Sequence, residues 1–404
     1  MTITAAASRH ERGSVGFRRL GLAMWCAGMS TFVQVYAVQG LLPTLATQFG
    51  VAASTSSLAL SATTLTLALA IVPLSAVAES WGRTRVMTVA LGAAALLGLA
   101  APLAPSFELL VLLRGLQGIA LAALPALAMA HVTREVAPRH LGGAVGLLIA
   151  GNTIGGLSGR LVASAVADVA GWRIGLHAVG LLSLACTAAF RLLLPPPVAP
   201  AAPPVRLRAL GGQVVRHLRD PGLACLFGLA FVLMGAFVTV YNYLGFRLLD
   251  APFDLPPALV ALIFLGYLAG SWASTTAGRL GDRFGRRTVL WIGLVVAIAG
   301  VAVTAPAWLP TVLVGLVLLT VGFFAAHSLA SGWVGRRSAK LPGGSPAVAA
   351  SLYLFCYYAG SSIGGTVGGL AFDHLGWIGV VGYVALLLVA GLALALGLRR
   401  VSPV

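Results

Sequence analysis

The chain has 404 residues, of which 59% are hydrophobic and only 9% are charged, and its mean hydropathy is +0.97. Soluble domains carry about a quarter of charged residues, so this composition excludes a water-soluble globular protein. A membrane-spanning helix needs about 20 apolar residues. The chain therefore has room for about twelve spans, and one or two helices anchoring a soluble domain are excluded.

The formal net charge is +16, from 26 basic and 10 acidic residues. In a soluble protein this excess would suggest a nucleic-acid partner, but here the arginines are scattered over separate short segments between apolar runs. Basic residues concentrate in the cytoplasmic loops of membrane proteins. We therefore predict a multi-pass protein of a bacterial-type inner membrane, with both termini cytoplasmic and with no nucleic-acid partner.

Twelve apolar runs follow one another along the chain. The first six lie at 20–45, 55–78, 86–104, 108–131, 141–165 and 172–194. The other six lie at 223–248, 257–278, 288–305, 309–333, 346–370 and 377–398. The first run is too long for the apolar core of a signal peptide, so we expect it to remain as the first helix. Cys26, Cys186, Cys225 and Cys356 lie inside runs without the spacing of a metal site or a disulfide framework.

A segment rich in proline and arginine separates the two sets of six runs. It begins PPPVAPAAPP at Pro195, and proline there prevents helix continuation and gives an extended spacer. The remainder, up to Asp220, can form a short basic helix on the membrane surface. The predicted organisation is a cytoplasmic segment 1–19, a six-helix bundle 20–194, a linker 195–222, a six-helix bundle 223–398 and a cytoplasmic tail 399–404.

The two sets of runs resemble each other. Residues 151–159 (GNTIGGLSG) and 360–368 (GSSIGGTVG) are identical at five of nine positions. Six spans per half place the start of both halves on the same side, so the predicted fold is all-α, with twelve transmembrane helices in two parallel six-helix repeats. Glycines four residues apart predict close helix packing, either sliding or static. They are Gly151, Gly155, Gly159, Gly360, Gly364 and Gly368.

Short motifs point to a known family. The loop after run eight, residues 278–287, reads GRLGDRFGRR and resembles the signature G-x-L-x-D-R-x-G-R-R of the major facilitator superfamily. The loop after run two resembles a weaker copy, with Glu79, Gly82 and Arg83 at matching positions. Residues 114–118 (RGLQG) are similar to the R-x-x-Q-G element of its drug/proton antiporter branch, and residues 151–160 resemble efflux permeases of the YnfM type.

The resemblance implies a twelve-helix transporter with alternating access, whose cavity is lined by helices one, four, seven and ten. It also implies that the two signature loops form a gate between the halves. An acid in such a loop can lie against the positive N-terminus of a facing helix, while the arginines can bridge the halves or anchor the loop at lipid phosphates. The predicted gate residues are Glu79, Gly82, Arg83, Gly278, Asp282, Arg283, Gly285 and Arg286.

Four polar residues inside the runs are candidates for proton or substrate coupling. Arg114 lies deep in run four, where a cation usually faces a watery cavity or a partner acid, and Gln117 shares its helix face. Arg160 is expected nearer the outer surface, where snorkelling to the interface is an alternative. His327 can titrate near neutrality, and a structural hydrogen bond is its alternative role.

Stripes of aromatic and polar residues at helical spacing in runs one and seven predict a wide apolar pocket, with core packing as the alternative. The predicted cavity residues are Phe32, Tyr36, Gln39, Asn152, Met234, Tyr241 and Asn242. No acid lies in the middle of a run, which disfavours a permanently cationic substrate and leaves neutral or anionic ones.

The sequence contains no phosphate-binding GxxxxGK[ST] loop and no constellation of catalytic side chains, so we expect neither an ATP-driven pump nor an enzyme, and no cofactor or metal. With the resemblance, we predict a monomeric secondary transporter that exports a small hydrophobic or amphipathic compound in exchange for protons. Transport of a small nutrient, such as a sugar or organic acid, is the alternative, and a transporter-like membrane sensor is the non-transport alternative.

Overall fold

A computed structural model describes residues 9–198, 207–398 and 401, without the side chains of residues 76, 79, 80, 126 and 207–210. Parts of the predicted terminal segments and linker lie outside these residues, as do Arg206, Arg399, Arg400 and the side chain of Glu79. The predicted domain boundaries therefore stay predictions.

Eleven apolar helical stretches are long enough to cross a membrane. The last of them is two helices that meet at Gly376, where the backbone (φ 59°, ψ −148°) is not helical. The described residues thus contain twelve spans, which confirms the predicted fold class. Spans 1 to 10 are Val15–Phe49, Leu58–Trp81, Arg83–Leu103, Phe107–Glu135, Pro138–Ala170, Trp172–Leu193, Pro221–Leu249, Pro257–Phe284, Arg286–Val303 and Leu309–Lys340, and spans 11 and 12 are the two parts of Pro346–Gly397.

The two signature loops are tight turns with matching backbones. Gly82 joins spans 2 and 3 with φ 86° and ψ 128°, and Gly285 joins spans 8 and 9 with φ 87° and ψ 133°. A positive φ is accessible to glycine at little cost and is strained for most other residues. The repeat seen in sequence is therefore also a repeat in backbone conformation.

The six spaced glycines form one seam in each half. In the N half, spans 1 to 6, they bring span 5 against the backbone of span 1, and in the C half, spans 7 to 12, they bring span 11 against span 7. Glycine permits such backbone contact because it has no side chain. The facing pairs are Gly151 with Trp25, Gly155 with Met29, Gly159 with Val33, Gly360 with Phe231, Gly364 with Gly235, and Gly368 with Thr239. The seams thus lie inside each half.

Contacts between the halves concentrate at one end. We call the end where span 1 begins and span 12 finishes the terminus end, and the other the opposite end. Span 2 packs on span 11 and span 5 packs on span 8. Near the opposite end, Thr366 Oγ1 donates to Ser61 Oγ (2.9 Å), Ser362 Oγ donates to the Ser61 carbonyl (2.8 Å), and the Ser54 amide donates to Asp373 Oδ1 (3.3 Å). The halves are therefore joined at the opposite end.

The exposure of side chains falls along span 1 from the terminus end toward the break. Leu22, near the terminus end, is 49% exposed, whereas Met29 is 7%, Tyr36 is 6% and Gln39 is 2% exposed. Since the hydrogen bonds that join the halves also lie near the opposite end, we infer a crevice between the halves that opens toward the terminus end and closes at Gln39.

A short helix, Leu207–Arg219, lies in the linker, at the position where the sequence suggests a basic helix. It is fastened to the C half at the terminus end, since His217 Nε2 shares a hydrogen bond with Ser338 Oγ (2.8 Å) and Arg216 donates to the Pro342 carbonyl (2.8 Å).

Candidate functional site

Four side chains from both halves meet where the crevice closes, and we call them the polar cluster: Gln39, Arg160, Asn242 and Tyr267. Arg160 Nε donates to Gln39 Oε1 (2.7 Å), and Arg160 Nη2 donates to the Tyr267 hydroxyl (3.0 Å). Gln39 Nε2 donates to Asn242 Oδ1 (2.7 Å). Because Asn242 and Tyr267 belong to the C half, the cluster joins the two halves twice.

Arg160 is a buried cation held by neutral groups. It is 2% exposed, and its guanidinium carbon lies 4.5 Å from the ring centre of Tyr36 and 4.4 Å from that of Tyr267. A desolvated cation–π contact contributes about 2 kcal/mol. Snorkelling, the alternative role for Arg160, does not occur in this conformation, because the side chain is buried and span 5 continues to Ala170. Ten further residues place Arg160 about 15 Å before the end of its helix.

A break in span 1 brings Gln39 to this cluster. The α-helix ends at Val35, a 3₁₀ turn covers Ala37–Leu41, and a second α-helix begins at Leu42 with a proline in its first turn. A helix end leaves carbonyl groups without intrahelical partners, which must be satisfied by other donors.

Arg114 and Gln117 lie together inside the N half, and Arg114 donates to the carbonyl groups that the break leaves free. Arg114 is 3% exposed and donates to the carbonyls of Gln34 (3.0 Å) and Val35 (2.9 Å) in span 1. It also donates to the Ala59 carbonyl (3.1 Å) and to Gln117 Oε1 (2.5 Å). Gln117 Nε2 donates in turn to Gln34 Oε1. The arrangement fixes the bend of span 1 and uses four of the five donors of Arg114.

An aromatic wall of the C half adjoins the polar cluster. Phe237 stacks on Phe323 with ring centres 4.0 Å apart, and Phe237 also packs on Tyr267 at 5.2 Å. His327 stacks on Phe323 at 5.6 Å, and its Nδ1 shares a hydrogen bond with the Tyr353 hydroxyl (2.9 Å). The wall therefore combines apolar area with one imidazole in the middle of a span.

Of the other predicted cavity residues, some belong to the aromatic wall and some pack between helices. Tyr241 shares a hydrogen bond with Thr320 (2.8 Å) and packs on Tyr267 at 4.7 Å, whereas Met234 is 2% exposed. Phe32 is partly exposed beside Tyr36, at a ring distance of 6.4 Å. Asn152 lies against Gly28 of span 1, next to the glycine seam.

The predicted gate residues make contacts within their own halves in this conformation. Asp282 has a 70% exposed side chain and accepts from Arg286 (3.0 Å), one turn away. Arg83 donates to the Ala130 carbonyl (3.3 Å) of span 4, and the guanidinium of Arg283 lies 5.0 Å from the ring of Phe284. Gly278 stands in open space, where a methyl group would meet nothing within 4 Å.

Two acids at the terminus end have roles that the sequence did not reveal. Glu135 is 3% exposed and accepts from the linker amide of Val198 (2.7 Å). Asp220 caps span 7 and accepts from Arg337 Nε (2.5 Å) and Nη2 (2.8 Å). Burial raises the pKa of Asp220, but the hydrogen bonds from Arg337 and the backbone lower it more, so this pKa lies below its ordinary value. An Asp-Pro pair before an apolar run is a helix-start signal that could have indicated Asp220.

Tyr267, Tyr353 and Ser61 were also missed, since a single polar residue in an apolar run carries no spacing signal. Within the described residues, no group of three or more His, Cys, Asp or Glu side chains could hold a metal ion.

Comparisons with known proteins agree on one family. Residues 22–276 match the model of the Major Facilitator Superfamily. The MFS-type transporter YybF of Bacillus subtilis is 39% identical over 390 residues, 96% of this chain and 96% of that protein. The inner membrane transport protein YnfM of Escherichia coli is 38% identical over 390 residues, 96% of this chain and 93% of that protein.

More distant similarities extend this result. A chloramphenicol efflux pump of Mycobacterium tuberculosis is 26% identical over 315 residues, 77% of this chain and 75% of the pump. The fold matches the solved structure of a bacterial homologue of the human lysosomal transporter Spinster with a TM-score of 0.77 at 17% identity, over 96% of this chain and 98% of that one.

Proposed function

This chain belongs to the major facilitator superfamily and is a membrane transporter of a small molecule, and we propose that it exports hydrophobic or amphipathic compounds by proton-coupled alternating access. The observation that carries the proposal is the join between the halves at the opposite end, where the polar cluster and the adjoining aromatic wall lie deep in the spans. The likeness to an efflux pump supports export.

The distribution of arginines sets the proposed orientation. Basic residues cluster in the segments at the terminus end, including Arg83, Arg139, Arg216 and Arg286. Cytoplasmic loops carry such an excess, so the terminus end faces the cytoplasm. In this orientation the structure is the inward-open state, in which an exporter receives its substrate.

The two ends exchange roles during the proposed cycle. Substrate enters from the cytoplasm and packs on the aromatic wall. The signature loops then close the terminus end, where Asp282 leaves Arg286 for the N-terminus of a helix in the other half, as the helix dipole favours. The bonds of Ser61, Gln39 and Arg160 to the C half break, and the opposite end opens.

A reversible lock tests transport. The Oγ atoms of Ser61 and Thr366 are 2.9 Å apart, so sulfur atoms at both positions lie within reach of a disulfide bond. In a background without native cysteines, the Ser61→Cys/Thr366→Cys variant is expressed in a drug-sensitive host and in inverted vesicles. We expect the reduced variant to raise tolerance to members of a compound panel, and we expect oxidised vesicles to lose transport until reductant is added.

The single-cysteine variant Ser61→Cys is the control, and oxidation should leave it active. Transport that survives complete cross-linking would contradict alternating access. Uptake of a sugar or organic acid by intact cells, without protection against any compound, would replace export with nutrient import.

His327 is the proposed proton carrier, because it lies in the middle of span 10 and histidine is the side chain whose ordinary pKa is nearest neutrality. The variant His327→Gln keeps a hydrogen-bonding group for Tyr353 but cannot titrate. We expect it to bind substrate but to lose the substrate-driven collapse of a pH gradient in inverted vesicles. His177→Gln, at the opposite end of span 6, is the matched control and should stay coupled. If His327→Gln still collapses the pH gradient when substrate is added, another group carries the proton.

A further inference from the structure

The polar cluster contains more hydrogen-bond donors than acceptors. Arginine carries five N–H donors and no acceptor. Arg160 uses three of them, on Gln39, on Tyr267 and on the Gly156 carbonyl (2.7 Å). Within the part of the chain that the structure describes, the other two donors have no hydrogen-bond acceptor, and no carboxylate balances the charge.

The excess of donors over acceptors extends into the C half through the side-chain amides of Gln39 and Asn242. Because Arg160 can only donate, Gln39 must turn its oxygen to Arg160 and its nitrogen to Asn242. Asn242 must then turn its oxygen to Gln39. Its Nδ2 is consequently left without a partner among the described residues, although the side chain is 0% exposed. An unsatisfied buried donor costs about 1–3 kcal/mol, so this arrangement favours a ligand that supplies acceptors.

Arg114 provides a contrast within the same molecule. Four of its five donors have protein acceptors, and it lies inside the N half, so it has little capacity left for a ligand. The incomplete coordination of Arg160 is therefore specific to the interface between the halves.

The charged side chains buried deep in the spans are positive. All ten acidic residues of the sequence lie in loops or within four residues of a helix end, whereas Arg114 and Arg160 are buried in the spans. An unpaired charge buried at low dielectric is costly, and a ligand of opposite charge relieves that cost. A cation at the same place would meet repulsion.

Aromatic rings surround this site. Tyr36, Tyr267 and Phe264 lie within 5.3 Å of the guanidinium carbon of Arg160, and the aromatic wall continues from Tyr267 to Phe237. A ligand bound there can pack a flat apolar body on the rings while its acceptor atoms reach the donors.

From these observations we propose that the transported compounds are organic anions with an aromatic or apolar body, and that Arg160 and Asn242 bind their carboxylate or similar acceptor group. This inference rests on the export function proposed above and defines its substrate class. When the opposite end opens, Tyr267 withdraws from Arg160 and Asn242 withdraws from Gln39, so a further N–H group of Arg160 and the Nε2 of Gln39 become free to donate to the anion.

Ligands of the same shape but different charge test whether the site prefers an anion. For several aromatic bodies, such as biphenyl and naphthalene, the carboxylate, the carboxamide and the methylammonium compound are added to the purified full chain in nanodiscs, and thermal stabilisation and affinity are measured. We expect the carboxylates to stabilise the protein and to bind at least about tenfold tighter than the ammonium compounds, as a single charge-assisted contact allows. Equal binding, preferential binding of the ammonium compounds, or no stabilisation by any carboxylate would overturn the inference.

Two variants assign the effect to the cluster. Asn242→Asp is nearly isosteric, still accepts from Gln39 and adds a negative charge, so it should abolish the preference for carboxylates; Arg160→Gln should do the same. Arg173→Gln, an exposed arginine, is the control and should keep the preference. Retention of the preference in Asn242→Asp would contradict the assignment. The Ser61→Cys/Thr366→Cys disulfide experiment tests transport independently. If the protein shows no preference for carboxylates, the proposal of export is therefore unaffected.

Discussion

Buried arginines show two different uses of the same side chain. Arg114 donates to carbonyls of spans 1 and 2 and stabilises a break in a helix, whereas Arg160 bridges the halves with donors to spare. Both were candidates for coupling on depth alone, since depth indicates the cost of burial but not the partners that offset it. The geometry assigns Arg114 to architecture and Arg160 to the interface.

For Arg114 we predict a large loss of stability on substitution. Arg114→Gln leaves the carbonyls of Gln34, Val35 and Ala59 without donors, and each lost charge-assisted bond costs about 1.5–3 kcal/mol. The melting temperature of the purified protein should fall strongly, with a smaller fall for Arg114→Lys. Arg173→Gln, which removes one bond of 3.4 Å, is the control. An unchanged melting temperature for Arg114→Gln would refute the architectural role.

At the scale of helices, the sequence predicts most of the framework. The twelve spans follow from uninterrupted apolar runs, and the seams follow from glycines at a spacing of four residues. The break of span 1 was not predicted, because residues 36–40 contain no proline and the stabilising Arg114 lies 79 residues from Val35. Likewise, the partners of Arg160 outside its own helix come from spans 1 and 8, and no local pattern shows which helices meet.

We predict that the glycine seam resists even a methyl group. Gly159→Ala places its Cβ against the carbonyl of Val33, so spans 1 and 5 must separate and the melting temperature should fall. Gly146→Ala on the same helix points into open space, and there the better helix propensity of alanine should raise stability by up to about 1 kcal/mol. Equal stabilisation by both substitutions would show that the seam is not tightly packed.

The Asp220–Arg337 pair predicts an acid-sensitive linker. Since the pKa of Asp220 is lowered in the folded protein, its contribution is complete above the unfolded value of about 3.9 and is lost as the pH falls through the folded value. We expect Asp220→Asn to lower the melting temperature at pH 7 by the equivalent of up to about 3 kcal/mol, because Arg337 loses its counter-charge. The difference from the wild type should shrink only below about pH 4. A difference that persists undiminished at pH 3 would have another origin.

At the scale of the whole molecule, each half is a unit held by its glycine seam, and the contacts between the halves are fewer than those within them. Ser61, Gln39 and Arg160 all bond to the C half near the opposite end, while at the terminus end Asp282 accepts from Arg286 of its own half and Arg83 donates to the Ala130 carbonyl of its own half. This asymmetry makes a rocking motion of two rigid halves the simplest route to an outward-open state.

Distances between spin labels test this motion most directly. In a chain without native cysteines, one pair of labels at Trp81 and Phe284 reports the terminus end, and another pair at Gln48 and Ala251 reports the opposite end; all four positions are exposed. Pulsed electron resonance across a range of pH, with and without substrate, should show two populations, in which a shorter distance at the terminus end accompanies a longer one at the opposite end. Distances that stay fixed, or that lengthen and shorten together at both ends, would contradict alternating access.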